Sequence, residues 1–311
     1  MKNHRTQVRS MHPSHRPLKG SLDTQPFRAV VRLGSTTSTQ DCYPRANQEQ
    51  LDRVFEINTV SAIKNSANKL LMKQCFTRVG VKTAQWWVYK THDPIGNTFV
   101  SGIDSTPIQN NNELSYPIVS KSLHGSRGEG NAKHDTQEQL EAWMRGKDLS
   151  NYIFEKFYTY SKEYRIHVTA DGCFYTCRKL LKNTAPEGTW QRHDDGNVVW
   201  ILEENEAFKK PSTWNLIVAD CVKALASLGL TIGSFDVMTQ GSSKENPEWI
   251  IVESQSAPSF GDVTLIKYKQ ELNNILNERA RGYVSTFGER KAIIRTKVAK
   301  KQSFKRALAR R

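Results

Sequence analysis

Two apolar stretches near the end of the chain each carry a carboxylate. Asp236 lies inside TIGSFDVM, and Glu253 closes WIIVE. Both stretches have the β-branched and aromatic content of strands. A carboxylate flanked by Ile, Val and Phe is costly unless a cation or hydrogen bonds compensate it. Two neighbouring strands can bring both groups to one point. Magnesium takes hard oxygen ligands and shares them with substrate phosphates, so Asp236, Glu253 and the following amide Gln255 are candidate ligands. Two solvated acids on the polar face of a sheet are the other reading, and these residues alone leave both open.

The pattern upstream fits a layered α+β chain. Phe27–Leu33 reads as a strand, and residues 48–78 read as helical with a break near Asn58. Thr83–Lys90 reads as a strand, residues 91–116 as a polar loop, and Tyr116–Lys121 as a short strand. A helix follows from Asp135/Thr136 to Met144. Three strands come next, Tyr152–Tyr158, Glu163–Ala170 and Cys173–Leu181, the last two joined through Asp171-Gly172. Val198–Leu202 is a further strand. Trp214–Leu228 is an amphipathic helix, with Val218, Cys221, Val222 and Leu225 on one stripe and Gly229 as its stop. A last helix is expected over residues 263–284.

Two more groups of residues invite chemistry. Lys121 ends a strand and runs into His124-Gly-Ser-Arg-Gly-Glu-Gly130, whose Gly125, Gly128 and Gly130 would let backbone N–H groups approach phosphate oxygens. The loop is neither a P-loop nor a dinucleotide fingerprint, and an ordinary surface turn is the plainer reading. Glu155, Glu163 and Arg165 lie along the middle strands, with Arg178 and Lys179 on the hairpin partner. Alternation puts Glu163 and Arg165 on one face, either flanking a ligand or forming a cross-strand ion pair.

The order of these features resembles the ATP-grasp superfamily. The chain reads lysine, glycine loop, helix, Glu-containing strand, Glu-x-Arg strand, basic hairpin strand, helix, Asp strand and Glu-x-Gln strand. The resemblance covers about Asn58 to Thr264 and is nearest to D-alanine–D-alanine ligase, glutathione synthetase and phage-encoded ATP-grasp proteins. It implies an α+β, ATP-grasp fold: two α+β lobes holding ATP between antiparallel sheets, with a reduced N-terminal α/β segment. Its implied parts are a flexible basic arm (1–24), the N-terminal segment and lead helix (25–90), a small lobe with a glycine-rich flap (91–155), a large lobe with a metal site (156–288) and a basic tail (289–311).

The resemblance also assigns roles. Lys121 matches the lysine on the α- and β-phosphates, and Lys69 the start of the ATP lobe. Gly125, Gly128 and Gly130 match the flap over the triphosphate. Glu155 matches the adenine strand and Glu163 the ribose-binding acid. Arg165 and Lys179 match cations near the transferred phosphate, and Arg192 a contact to the acyl intermediate. Asp236 and Glu253 match the paired magnesium ligands. Gln255 departs from the usual Glu-x-Asn by one methylene. The implied activity is an ADP-forming ligase that converts a carboxylate to an acylphosphate and joins it to an amine. ATP and one or two Mg2+ ions, replaceable by Mn2+, are the expected cofactors.

Charge distribution adds the alternative. The net charge is +14, yet ten Lys/Arg and no acid follow Glu289, and residues 1–32 hold seven Lys/Arg against Asp23 alone. The remainder is nearly neutral. Basic ends suit a nucleic acid or another acidic polymer. The alternative function is therefore a nucleic-acid-binding or nucleic-acid-modifying ATP-grasp protein with impaired catalysis. No apolar run approaches the roughly 18 residues of a membrane span, and five widely spaced cysteines argue against a disulfide framework. The expected compartment is the cytoplasm.

Overall fold

The computed structural model describes residues 8–11, 28–93, 96–108, 114–125, 128–190, 197–240 and 248–279. The chain opens with β1 (Val8–Met11), β2 (Arg28–Arg32), helices α1 (Thr39–Cys42) and α2 (Gln48–Leu51), and β3 (Val54–Ile57). The three strands form a parallel sheet in the order β1-β2-β3. Val8–Met11 lies within the stretch expected to be an arm. β3 lies inside the run expected to be helical. Its four residues VFEI are too short to carry a period of their own, and pairing with β2 overrides the local pattern.

Helices α3 (Val60–Ala67) and α4 (Lys69–Val79) follow. Asn68 caps α4 by accepting from the amides of Leu70 and Leu71, and Gly80 ends it in the left-handed conformation, φ 67°. Next come β4 (Trp86–Asp93), β5 (Gly96–Ser101), β6 (Pro107–Ile108), β7 (Ile118–Ser122), β8 (Ala132–His134), α5 (Gln137–Met144) and β9 (Tyr152–Lys156). Their six strands form an antiparallel sheet in the order β6-β5-β4-β9-β7-β8. The expected loop at 91–116 is thus partly a hairpin. β4 continues to Asp93 and pairs with β5, so partner strands supply the order that the polar sequence lacks. This sheet begins at Trp86, which pairs with Glu155. One face packs on α5 through Trp87, Phe99, Ile118, Leu140 and Phe154. The other face meets α4 through Trp86, Leu123, Ile153 and Leu70.

The last part contains β10 (Lys162–Thr169), β11 (Gly172–Leu181), β12 (Val198–Leu202), α6 (Trp214–Leu228), β13 (Ile232–Thr239), β14 (Trp249–Gln255) and α7 (262–279). Its five strands are antiparallel in the order β12-β11-β10-β13-β14. Tyr164, Ile166, Phe235, Val237 and Ile251 face the helical layer, where they meet α6, α4 and α3. Helix α4 therefore touches both antiparallel sheets: Met72, Cys75 and Phe76 pack into the second and Leu70 into the first. Among the described residues no helix is long and apolar enough to cross a membrane.

Asn58 joins the N-terminal sheet to the five-stranded antiparallel one. It is fully buried at φ 60°, a conformation that Asn tolerates better than most residues. Its amide donates to the carbonyls of Arg32 (3.1 Å) and Ile232 (2.9 Å). Its carbonyl oxygen accepts from the amides of Thr231 (2.9 Å) and Ile232 (3.2 Å). Replacing Asn58 with Ala strands those backbone groups and is expected to cost about 3 kcal/mol. A fall in the urea midpoint of Asn58→Ala checks this, and an unchanged midpoint would refute the clamp.

Candidate active site

On the face of the five-stranded sheet turned away from α6, cross-strand neighbours line up in rows. Glu163 pairs with Lys179 and Met238, and Arg165 pairs with Cys177 and Asp236. Asp236 in turn pairs with Glu253, and Ser234 with Gln255. Between Asp236 and Val237 the register shifts, leaving Val252 unopposed. That bulge lets Ile251 stay on the core face with Val237 while Glu253 turns beside Asp236.

Asp236 is 5% exposed and gripped by two cations. Arg165 donates to it in a fork, Nε to Oδ1 at 2.8 Å and Nη2 to Oδ2 at 2.9 Å. Lys179 donates to Oδ2 at 2.9 Å and also to Glu163. Burial alone would raise the Asp236 carboxyl, but Arg165 and Lys179 hold it well below the usual carboxylate range. Arg165 and Lys179 are themselves raised: burial disfavours their charge, and the acids overcome it. The Trp200 ring lies 5.0 Å from the Arg165 guanidinium and 5.6 Å from the Lys179 ammonium, a cation–π wall from β12.

The six-stranded sheet contributes a second charged group on its α4 face. Lys121 of β7 donates to Glu155 Oε2 at 2.9 Å, and Lys73 of α4 donates to the same oxygen at 3.0 Å. Oε1 is buried without a partner among the described residues. Burial opposes the charge on Glu155, yet Lys121 and Lys73 bring its carboxyl below its ordinary value. Lys73 has no exposed side-chain surface. Burial pulls its ammonium down to about 8 despite Glu155.

Helix α4 links the two groups at its first residue. Lys69 donates to the Gly125 carbonyl at 2.6 Å and lies 3.7 Å from Glu253. Gly125 has to be glycine, because a Cβ there would stand 2.5 Å from the Glu129 carbonyl oxygen. Gly128 and Gly130 both take positive φ, 74°.

The structure thus gathers Glu163, Arg165, Lys179, Asp236, Glu253 and Gln255 on one sheet face. Lys121 and Glu155 meet on the facing lobe, with Lys69 and Gly125 between them and Glu253. The Glu155 carboxylate points beneath Lys121, and Glu163 pairs with Lys179. Arg192 lies outside the described residues, as do most of the basic ends. Sequence reasoning missed Lys73 and Trp200. Lys73 follows Lys69 by one helical turn on α4, and alternation along β12 puts Trp200 in register with Lys179.

No three His, Cys, Asp or Glu side chains among the described residues form a metal cage. The donor set nevertheless suits magnesium, which needs only one or two carboxylates when phosphates complete its shell. Glu253 is about one-third exposed and its nearest cation is Lys69 at 3.7 Å. Asp236 Oδ1 accepts from Arg165 Nε alone, which leaves it a lone pair.

His167, two residues beyond Arg165, is 1% exposed and bonds through Nδ1 to the Tyr268 hydroxyl at 3.1 Å. Burial, aided by Arg165, lowers it to about 3. A group depressed on folding contributes stability that is complete above its unfolded value of about 6.5 and lost on acidification. Stability should therefore fall between about pH 6.5 and pH 3, and His167→Gln should flatten that slope in urea titrations at stepped pH. An equal slope in the variant would contradict the assignment.

No family model and no curated protein sequence matches the chain. Among solved structures, D-alanine–D-alanine ligase from Bacillus anthracis is similar at a TM-score of 0.53 and 12% identity, covering 81% of this chain and 76% of that one. N5-carboxyaminoimidazole ribonucleotide synthetase from Thermus thermophilus gives 0.49 and 13%, covering 73% of this chain. The chain spans 54% of that enzyme. The ATP-grasp ligase PsnB, complexed with minimal precursor, gives 0.46 and 17%, covering 75% and 71%. The likeness to the Bacillus anthracis ligase shows the fold, which is the α+β, ATP-grasp arrangement implied by the sequence.

Proposed function

We propose that the charged faces of the two antiparallel sheets bind ATP with Mg2+ between them and activate a carboxylate for ligation to an amine. One observation carries the reading. Lys69 bridges the carbonyl of Gly125, in the segment that follows Lys121, to Glu253 on the sheet face that also presents Arg165, Lys179 and Asp236. The fold is similar to that of a D-alanine–D-alanine ligase, and these residue types suit a triphosphate with its counterions.

In this reading the small lobe (91–155) and the large lobe (156–288) close on the nucleotide. Lys121 and Lys69 bind the phosphates, and the loop from Gly125 to Gly130 covers them and keeps water from a hydrolysable acylphosphate. Glu155 and Glu163 hold the lysines of the two lobes and border the adenosine side. Mg2+ at Asp236, Glu253 and Gln255 would neutralise phosphate charge and act as a Lewis acid. A substrate carboxylate oxygen attacks the γ-phosphorus, the bond to the β-phosphate oxygen breaks, and ADP leaves. Arg165 and Lys179 offset the charge spread over the transferred group. An amine then attacks the acyl carbon and phosphate departs, with Arg192 assigned to the acyl end by resemblance alone.

Pooled amino acids and polyamines, then DNA or RNA, should stimulate release of ADP and phosphate from ATP in the presence of Mg2+ or Mn2+. Asp236→Asn should lower the rate by about 10²-fold or more, with folding verified by circular dichroism. AMP in place of ADP would overturn the acylphosphate step. ATP binding without turnover in any pool would favour a non-catalytic polymer-binding protein.

A further inference from the structure

We infer that Lys73 is a positioning residue that neutralises buried Glu155, so that Lys121 keeps its positive charge for the nucleotide phosphates. The inference rests on the proposed ATP site and adds a residue to it that touches no ligand.

Glu155 Oε2 accepts from Lys121 at 2.9 Å and from Lys73 at 3.0 Å. Both lysines therefore share one negative charge, and the trio carries a net charge of about +1 when both are protonated. Lys73 lies behind Glu155 with no exposed surface, whereas the Lys121 side chain keeps 13% of its surface open. The surplus charge can thus leave the cluster only through Lys121. Without Lys73, the Lys121–Glu155 pair would be neutral, and a buried carboxylate would hold Lys121 against the pull of a phosphate.

The surroundings of Lys73 carry that charge at a cost. The groups facing it are Glu155 from β9, Lys121 from β7, the more distant Glu253 from β14 and the Thr83 hydroxyl. Lys69, one turn earlier on its own helix, turns instead to the Gly125 carbonyl. With its ammonium at about 8, Lys73 is mostly charged at neutral pH. Thr83 passes the contact on, donating to the Ile251 carbonyl at 2.9 Å, two residues before Glu253. Lys73 thereby ties the phosphate lysine of one lobe to the carboxylate strand of the other.

A charge-balance experiment separates this role from simple packing. ATP binding is titrated calorimetrically at pH 7 for wild type, Lys73→Met and Lys73→Arg, and each melting curve is recorded. One charge fewer facing the phosphates should weaken ATP binding by Lys73→Met about tenfold. Lys73→Arg keeps a buried positive charge beside Glu155 at the expense of packing, so its affinity should stay within about threefold of wild type. Wild-type affinity in Lys73→Met, or a folded Lys73→Arg as weak as Lys73→Met, would overturn the inference. If Lys73→Met does not fold, Lys73→Arg decides: a tenfold loss there contradicts the charge argument. A wild-type chain that binds no ATP would bring down the proposed function itself, an outcome distinct from wild-type binding that Lys73 does not affect.

Discussion

Asp236 holds two cations that would otherwise be stranded inside a sheet. Burying a carboxylate between Phe235 and Val237 on β13 is tolerable because Arg165 and Lys179 converge on it. Burying Arg165 and Lys179 is tolerable for the same reason. The register of β10, β11, β13 and β14 follows from this mutual dependence. A one-residue slip of any strand would send its charge into the apolar layer under α6. The same grip means that the large-lobe site is already neutralised by its own residues. A phosphate would have to compete with Asp236 for Arg165 and Lys179, and Glu253, held only at 3.7 Å by Lys69, is the freer acid.

Helix α4 makes the two sheets one machine. Its apolar positions alternate between the larger lobe and the smaller, and its two inward lysines serve both charged clusters. The segment after it, Lys82-Thr83, is bonded to Ile251 of β14 through both backbone and hydroxyl. The N-terminal sheet adds a third layer against Ile232 and Tyr268, fastened by Asn58. The two charged clusters are therefore framed by elements far apart in the chain, and their placement depends on tertiary contacts more than on local geometry.

What the sequence revealed follows from that division. Helix α6 is legible to the residue, because a fifteen-residue amphipathic stripe and a terminal glycine are local signals. The charged strands are legible because an Asp within TIGSFDVM or a Glu-x-Arg in a hairpin demands an explanation. β3 and β5 are not, since four residues of VFEI and a Gly-Asn-Thr opening become strands only through β2 and β4. Lys73 is the instructive omission. It reads as one more polar residue on a helix, and its partner Glu155 lies 82 positions away. Only the folded chain shows that its charge is buried and shared.

The most direct measurement is a crystal structure with a non-hydrolysable ATP analogue and Mg2+. The account predicts triphosphate density between Lys121 and Asp236, with Arg165 and Lys179 turned from the carboxylate toward phosphate oxygens. A nucleotide bound elsewhere, or a cleft that stays closed by its own ion pairs at saturating analogue, would contradict it.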